Sequence, residues 1–575
     1  MYALCRGLPE SSFRQPPKPQ AKQHRLNLGS GGPPRRKTSN LIRPQLSGPM
    51  ELETLMEEGA APGPGGESDA AQPTGTAENG NCVPLVNGDK TRGSVTGVAM
   101  EQSSKVSKGS TLNLYLASCT ANMGALAAGC ALTWSSPTIL KLQRGDPSFN
   151  LIINEEEATW VGSLVTLGAA IGPILSGAIL DRLGRKNTVL LSMVLSMISW
   201  ITIGFIPNLY VLYGARVLSG VAVGLIFTAV PTYIAEIAMP HLRSSLGTLM
   251  QFFLCFGFLI EFIVGPYTSY LTLVLVSLTT PILCFGMFVW MPDSPHSLLG
   301  RPGRETQALE SLRWLRGNPQ EAILIKELGE IKRSIEETQR QKSSFGELFA
   351  NKGNIKAVII ACSMVGFQQL SGINVVLLFS ETIFQKTGAQ ISPSICTIIV
   401  GSVMLVAAAV TPSLAKFFSM KTLLYISAVG MALTEGVLGF YFYMLSKHQD
   451  VSTIGWLPVT SLVLFIITYC LGFGPLPWAI MGEVFPANLK SVASALTASF
   501  CWFLGFVLSK SFNTLCSVIG EHFAFWMFSG FCVVALLFTI FILPDTEGKT
   551  LPEIQDMLHG RNAKPSAKDK TTVKA

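Results

Sequence analysis

The sequence predicts an all-α polytopic membrane protein with twelve transmembrane helices in two six-helix halves. Three observations support this fold class. The mean hydropathy is +0.41 over 575 residues, and only 14% of the residues are charged, against about 25% in soluble domains. From residue 109 onward, long uncharged runs recur at regular intervals. This composition excludes a nucleic-acid-binding domain and a secreted disulfide scaffold.

Twelve uncharged runs are long enough to cross a bilayer, which takes about 20 apolar residues. We number them spans 1 to 12, and they cover 109–140, 158–180, 188–206, 217–235, 244–260, 267–291, 357–380, 391–414, 422–444, 451–482, 491–509 and 523–544. A charged stretch separates the sixth run from the seventh. We therefore expect one half over 111–291, a linker of short amphipathic intracellular helices over 292–355, and a second half over 356–545.

The ends of the chain are polar. Residues 1–50 hold nine Lys and Arg and a single acid, and residues 51–89 hold eight acids and no Lys or Arg. Neither segment can bury enough apolar surface to offset the entropy of ordering. We therefore expect residues 1–110 to form a disordered tail that is open to cytosolic partners, and 546–575 to form a C-terminal tail.

Lys and Arg are concentrated in the loops on one side of the predicted bundle. That side holds Arg182, Arg185, Lys186, Arg243, Lys416, Lys421, Lys490 and the charged linker, whereas the other side holds Lys141, Arg144, Lys386 and Lys447. Cytoplasmic loops carry this excess in membrane proteins. The bias predicts a multi-pass membrane protein with both termini in the cytoplasm.

A motif repeats after the fourth and the tenth spans. Each copy has a proline, then a glutamate, then a basic residue seven positions later: Glu236 with Arg243, and Glu483 with Lys490. Headgroup-solvated charges at helix ends would explain one copy but explain two poorly. Two related halves around a central site are typical of secondary transporters.

Six motifs together resemble the sugar porters of the major facilitator superfamily, in particular facilitated trehalose transporters and facilitative glucose transporters. The resemblance covers roughly 112–558. The motifs are Gly214-Ala215-Arg216 with Gly220 and Gly224, Pro231-x-Tyr233-x-x-Glu236, Pro292-Asp293-Ser294-Pro295, Gln368-Gln369-Leu370-Ser371-Gly372-Ile373-Asn374, Gly474-Pro475-Leu476-Pro477-Trp478, and Pro544-Asp545-Thr546-Glu547-Gly548-Lys549.

The resemblance implies the major facilitator fold and facilitative uniport of a neutral sugar, a hexose such as glucose or trehalose, by alternating access across the plasma membrane. It implies no cofactor and no metal, and the sequence shows no catalytic motif, so we do not expect an enzyme. A non-transporting sugar sensor is the alternative. Proton symport is less favoured, because coupled relatives carry an Asp in span 1 that faces the arginine matching Arg216. Here span 1 has no acid, and the matching position is Ala131.

Two groups of site residues follow from the resemblance. Carboxamides and aromatic surfaces suit a neutral polyol, and the candidate sugar contacts are Gln251, Gln368, Gln369, Asn374, Trp478 and Trp502. The candidate gating and salt-bridge residues are Asp181, Arg185, Arg216, Glu236, Arg243, Glu483 and Lys490. Among these, we expect Arg185, Glu236 and Arg243 to form one cluster that closes one half against the other.

Several positions depart from the family pattern. Lys416 to Lys421 stand where the family has Asp-Arg-x-Gly-Arg-Arg, and His296 replaces an arginine. Met404 and Cys501 replace two asparagines of the cavity, which leaves the identity of the sugar open. We expect Glu261 to lie near the outer end of span 5 within reach of water, and Glu435 lies in the middle of span 9 with no partner that the sequence identifies.

Overall fold

The structure is a computed structural model that describes residues 111–340, 345–387, 391–414, 417–486, 488–546, 549 and 551–559. The expected disordered tail over 1–110, Lys416 and most of the C-terminal tail lie outside these residues. Within the described ranges, 12 helices are long and apolar enough to cross a membrane. The predicted fold class is therefore confirmed.

The first half contains spans 1 to 6. Their helices are Leu112–Thr133 continued by Ser135–Arg144, Glu155–Leu183, Arg185–Phe205, Leu209–Ile237, Arg243–Tyr267 and Tyr270–Phe288. Local signals set several of these starts. Span 2 begins at a capping box, in which Asn154 accepts from the amide of Glu157 while the Glu157 carboxylate accepts from the amide of Asn154. At the start of span 4, the side-chain oxygen of the N-cap residue Asn208 accepts from the amides of Tyr210 and Val211.

The second half contains spans 7 to 12. Their helices are Lys352–Leu370 continued by Ile373–Thr387, Pro393–Leu414, Met420–Ser446, Leu457–Leu471 continued by Leu476–Val484, Lys490–Ile519 and Glu521–Phe541. Between the halves lie three linker helices and a 3₁₀ turn, Pro295–Leu299, Glu305–Leu315, Glu321–Arg340 and Phe345–Phe349, and a last helix covers Leu551–His559.

Span 7, the first helix of the second half, is interrupted, whereas span 1 is continuous. In span 1, Trp134 keeps helical backbone angles, and its amide donates to the carbonyl of Cys130 at 3.0 Å. Span 7 breaks at Ser371 and Gly372, where Gly372 has a φ of +75°. Only glycine adopts that conformation without strain. Interrupted spanning helices line the binding sites of many transporters. The break in span 7 therefore locates the candidate site.

Small residues let helices of the first half approach closely. A Cβ added to Gly168 of span 2 would lie 2.1 Å from the carbonyl oxygen of Val217 in span 4. A Cβ on Gly129 of span 1 would lie 2.3 Å from the carbonyl oxygen of Leu254 in span 5. Close packing through small residues is typical of helices in lipid, where no hydrophobic effect drives association.

The two ends of the bundle differ in how the halves meet. We call the end at which the linker helices pack the linker end, and the opposite end the far end. At the far end, Ser135 donates to the carbonyl of Leu378 at 3.2 Å, and the amide of Glu381 donates to Ser136 at 3.1 Å. Each contact joins span 1 to span 7, so the interface is closed at the far end.

The far end is also closed between spans 2 and 11. Lys510 of span 11 donates to the Thr159 hydroxyl of span 2 at 2.9 Å, and its ammonium lies 4.4 Å from the ring centroid of Trp160. At the linker end, no ion pair joins the halves in the part of the chain that the structure describes. The two halves are thus held together at the far end, whereas no ion pair among the described residues holds them together at the linker end.

Candidate functional site

Three carboxamides of span 7 meet at its break. Gln369 donates to the Cys501 sulfur at 3.1 Å, and Asn374 donates to the Gln369 side-chain oxygen at 2.6 Å. Gln368 donates to the carbonyls of Phe473 and Gly474 at 2.8 and 2.7 Å. The break turns the chain so that Asn374, which begins the second helix, returns onto Gln369, which lies at the end of the first. The structure brings these three predicted residues together, and all three are buried.

The other predicted sugar contacts lie on three different helices. Gln251 of span 5 is partly buried and donates to the Cys255 sulfur at 3.4 Å. Trp478 of span 10 is partly buried, and Trp502 of span 11 is buried with an indole N–H that has no hydrogen-bond partner. A buried donor of this kind is costly unless a ligand accepts from it. The Trp502 indole is therefore available to a substrate hydroxyl.

Phe227 of span 4 contacts both tryptophans. Its ring centroid lies 5.1 Å from that of Trp502, in an edge-to-face arrangement, and 6.4 Å from that of Trp478. Sequence reasoning did not identify Phe227, because one more phenylalanine in an apolar helix carries no signal. Only the packing of span 4 against spans 10 and 11 reveals it.

The site is polar but uncharged. Among the described residues, no Asp, Glu, Lys or Arg side chain forms a hydrogen bond with any of the six predicted contacts. Carboxamides supply both donors and acceptors, and the indole N–H supplies a donor. Met404 is buried, and the buried Cys501 sulfur already accepts from Gln369. The arrangement can bind a neutral, hydroxyl-rich molecule and offers no compensation for a charge.

Arg216 lies apart from the other candidate gating residues, buried within the first half. Its guanidinium donates to the carbonyls of Ala131 at 2.9 Å and Val161 at 3.0 Å and lies 5.0 Å from the ring centroid of Trp134. Arg216 thus faces Ala131, the position at which the coupled relatives are expected to carry an acid. It forms no ion pair within the described ranges.

Glu261 and Glu435 are both buried. The expectation that Glu261 reaches water is wrong, because span 5 continues to Tyr267 and packs Glu261 against span 6. There the hydroxyl of Ser277 donates to it at 2.5 Å. Glu435 of span 9 has a partner that the sequence did not identify, the thiol of Cys532 in span 12, which donates at 3.6 Å.

One ion pair of the expected gate is formed. Arg185 at the start of span 3 binds the carboxylate of Glu236 at the end of span 4, with both nitrogen–oxygen distances at 2.9 Å. The Ser294 hydroxyl donates to the second oxygen of the same carboxylate. Asp181 and Arg243 are exposed and form no ion pair in the part of the chain described. The expected three-residue cluster is therefore a pair completed by a serine.

The second copy of the motif is not paired. Glu483 and Lys490 form no ion pair among the described residues, and one carboxylate oxygen of Glu483 is buried without a hydrogen-bond partner. His296 lies beside the first copy. Burial lowers its pKa, and the positive charges of Arg185 and Arg243 lower it further. The neutral imidazole is therefore favoured beside this pair.

Comparison with known proteins identifies relatives. A family model described as "Sugar (and other) transporter" matches residues 104–558. The facilitated trehalose transporter Tret1 of Anopheles gambiae is 37% identical over 448 residues, covering 78% of this chain and 56% of that protein. Tret1 of Culex quinquefasciatus is 36% identical over 453 residues, covering 78% of this chain and 87% of that protein. The chain thus spans little more than half of the first relative and most of the second.

Solved structures share the fold. The major facilitator superfamily proton:xylose symporter XylE, bound to 6-bromo-6-deoxy-D-glucose, superposes with a TM-score of 0.64 at 24% identity, covering 77% of this chain and 99% of XylE. A partially occluded inward-open conformation of XylE from E. coli gives a TM-score of 0.63 at 23% identity. At this identity, the likeness shows the architecture alone.

Proposed function

Because the chain belongs to the sugar transporter family of the major facilitator superfamily, we propose that it is a facilitative transporter of a neutral sugar, a hexose such as glucose or trehalose. The observation that supports this most is the uncharged carboxamide cluster at the break of span 7. When sugar binds, Gln368, Gln369 and Asn374 give up their present hydrogen bonds within the protein and form hydrogen bonds with sugar hydroxyls instead. Gln251, Trp478 and Trp502 complete the site.

Transport occurs by alternating access between the two halves. The Lys and Arg bias supports an orientation in the plasma membrane with the linker end and both termini on the cytoplasmic side. The far end, closed by Ser135, Ser136 and Lys510, is then extracellular. Opening it breaks these contacts, and a bound sugar lowers the free energy of the closed states between the two open ones.

The gating residues act at the cytoplasmic end. Arg185 and Glu236 stabilise the first half internally, and Ser294 connects that pair to the linker. When the cytoplasmic ends approach each other, the unpartnered oxygen of Glu483 becomes an acceptor for the basic side chains around it, of which Arg243 and Lys490 are the candidates. Arg216 stabilises the first half from outside this cluster through the carbonyls of Ala131 and Val161, and Asp181 is left exposed for contacts made in other states.

Uptake of radiolabelled hexose into proteoliposomes tests this function. Gln369→Ala and Asn374→Ala each remove a partner of a desolvated hydroxyl, which costs about 1–3 kcal/mol. We expect apparent affinity to fall about tenfold. Gln449→Ala, at an exposed loop position, is the matched control and should be neutral. Met404→Asn combined with Cys501→Asn should tighten hexose affinity, because it supplies two carboxamides.

Two alternatives have different outcomes in the same assay. A sugar sensor would bind hexose, as detected by a change in tryptophan fluorescence that Trp502→Phe abolishes, with no uptake at any concentration. A proton symporter would concentrate the sugar under an inward proton gradient and lose this ability with a protonophore. Arg216 favours uniport over symport, because it donates to the carbonyl of Ala131 rather than to a carboxylate of span 1. Partners of the N-terminal tail are proposed from its composition alone.

A further inference from the structure

Ring contacts between the two halves occur at two levels of the described bundle. At the far end, Trp160 of span 2 lies against Phe506 of span 11, with centroids 6.3 Å apart. Deeper in the bundle, Phe227 of span 4 lies against Trp502 and Trp478, with centroids 5.1 and 6.4 Å apart. We call Phe227, Trp478 and Trp502 the aromatic cluster. This cluster joins the two halves across the path that a substrate would take between them.

The aromatic cluster lies between the carboxamides and the linker end. Gln368 donates to the carbonyl of Gly474 at the break of span 10. Trp478 lies four residues farther along this span, about 6 Å closer to its end at Val484. Val484 is at the linker end, where its carbonyl accepts from Gln555 of the last helix, and Phe227 contacts Trp478. Trp502 follows Cys501, which accepts from Gln369, so it connects the two levels.

We propose that Phe227 forms the floor of the sugar site and restricts the site to monosaccharides. This inference rests on the proposed function and names its substrate class. The carboxamides occupy the break of span 7, and the aromatic cluster lies directly on their linker side. A second sugar ring that extends from the carboxamides toward the linker end has to displace the Phe227 ring from Trp502.

Chemistry disfavours that displacement. A phenyl ring offers no donor or acceptor, so the hydroxyls of a second sugar ring that face Phe227 would lose their hydrogen bonds to water without replacement. The Trp502 ring is buried, and its edge-to-face contact with Phe227 is also lost. Such contacts are favourable beyond the area that they bury. A single sugar ring bound at Gln369 and Asn374 leaves the Phe227 ring in place, so neither loss occurs.

The floor is present when sugar arrives from the far end. Opening the far end rocks the halves so that their linker ends approach each other, which presses Phe227 of the first half against Trp478 and Trp502 of the second. The size limit therefore acts on the entering sugar. In this structure the far end is closed and the Phe227 contacts are still present. Release toward the linker end therefore requires a further step, in which Phe227 separates from the tryptophans.

The test compares uptake of labelled glucose and labelled trehalose in proteoliposomes. For the wild type, we expect glucose uptake and at least tenfold lower trehalose uptake. Phe227→Ala should raise the trehalose-to-glucose ratio at least tenfold, and Phe227→Leu, which keeps the packing more nearly intact, should raise it less. The matched control is Phe506→Ala, which removes the other ring contact between the halves and should leave the ratio unchanged.

The outcomes separate this inference from the proposed function. Wild-type protein that carries trehalose as fast as glucose overturns the size limit and leaves the transporter assignment intact. The same holds if Phe227→Ala and Phe227→Leu both carry glucose at an unchanged ratio. Uptake of neither sugar by the wild type overturns the proposed function, and this inference with it. Should Phe227→Ala fail to insert, Phe227→Leu and the wild-type ratio still decide the question.

Discussion

Glu236 and Glu483 occupy equivalent places in the two halves but differ in their partners. Glu236 is bound by Arg185 at 2.9 Å through two nitrogens and by the hydroxyl of Ser294. Glu483 forms no ion pair in the described part of the chain, and one of its oxygens is buried without a partner. The motif therefore repeats in the sequence of the two halves, but its interactions do not.

The preceding loops explain the difference. In the first half, Gly184 has a φ of +86° and leads into span 3, whose first residue is Arg185. In the second half, the residue at the position of Arg185 is Met420, which follows the capping residue Ser419 at the start of span 9. A thioether carries no charge, so Glu483 has no counterpart of Arg185.

The largest expected effect is a loss of stability when the carboxylate of Glu236 is removed, compared with removal of the carboxylate of Glu483. Glu236→Gln leaves the half-buried Arg185 without its charged partner, and hydrogen bonds to charged groups contribute about 1.5–3 kcal/mol. We expect a drop of this size in the free energy of unfolding, measured as a lower apparent Tm in detergent. Glu483→Gln, the matched control, removes no ion pair and should change stability by less than about 0.5 kcal/mol. Equal effects would contradict the comparison.

Much of the fold was predictable from the sequence, and the site only in part. Twelve spans follow from hydropathy, because a bilayer demands about 20 apolar residues for each crossing. The carboxamides of span 7 were predictable because their residue types and their motif both point to a polyol. Phe227 was not, since an apolar side chain in a spanning helix carries no signal before its neighbours are known.

Charged residues show the same limit of sequence reasoning. Arg185 and Glu236 were predicted to pair and do so, whereas Arg243, expected in the same cluster, is exposed. The position of a flexible side chain at a helix end depends on what packs around it. The burial of Glu261 likewise depends on how far span 5 continues and on its contact with span 6.

A smaller effect is expected from giving the second half the residue that it lacks. Met420→Arg places a guanidinium at the position equivalent to Arg185, the first residue of its helix. We expect an ion pair with Glu483 that is worth about 0.5–1 kcal/mol at this partly exposed position. A double-mutant cycle with Glu483→Gln, read as apparent Tm, isolates that coupling. If the gain from Met420→Arg persists in the Glu483→Gln background, the two side chains do not interact.

The smallest expected effect concerns pH and His296, which stands beside the first copy of the motif only. Its pKa is lowered by burial and then by the charges of Arg185 and Arg243, while Glu327 opposes this shift. As pH falls below about 6.5, the ordinary value for histidine, the unfolded chain binds the proton before the folded chain does. Stability is therefore fully present above that pH and declines as pH falls toward the lowered pKa.

His296→Gln should remove this decline, because a carboxamide does not titrate. We expect the apparent Tm of the wild type to fall more steeply between about pH 7 and pH 5 than that of His296→Gln. His448→Gln, at an exposed position of a far-end loop, should keep the wild-type slope. Parallel slopes for the wild type and His296→Gln would show that His296 titrates alike in both states. The charges around Arg185 would then not act on it, and the first copy of the motif would owe no pH dependence to this histidine.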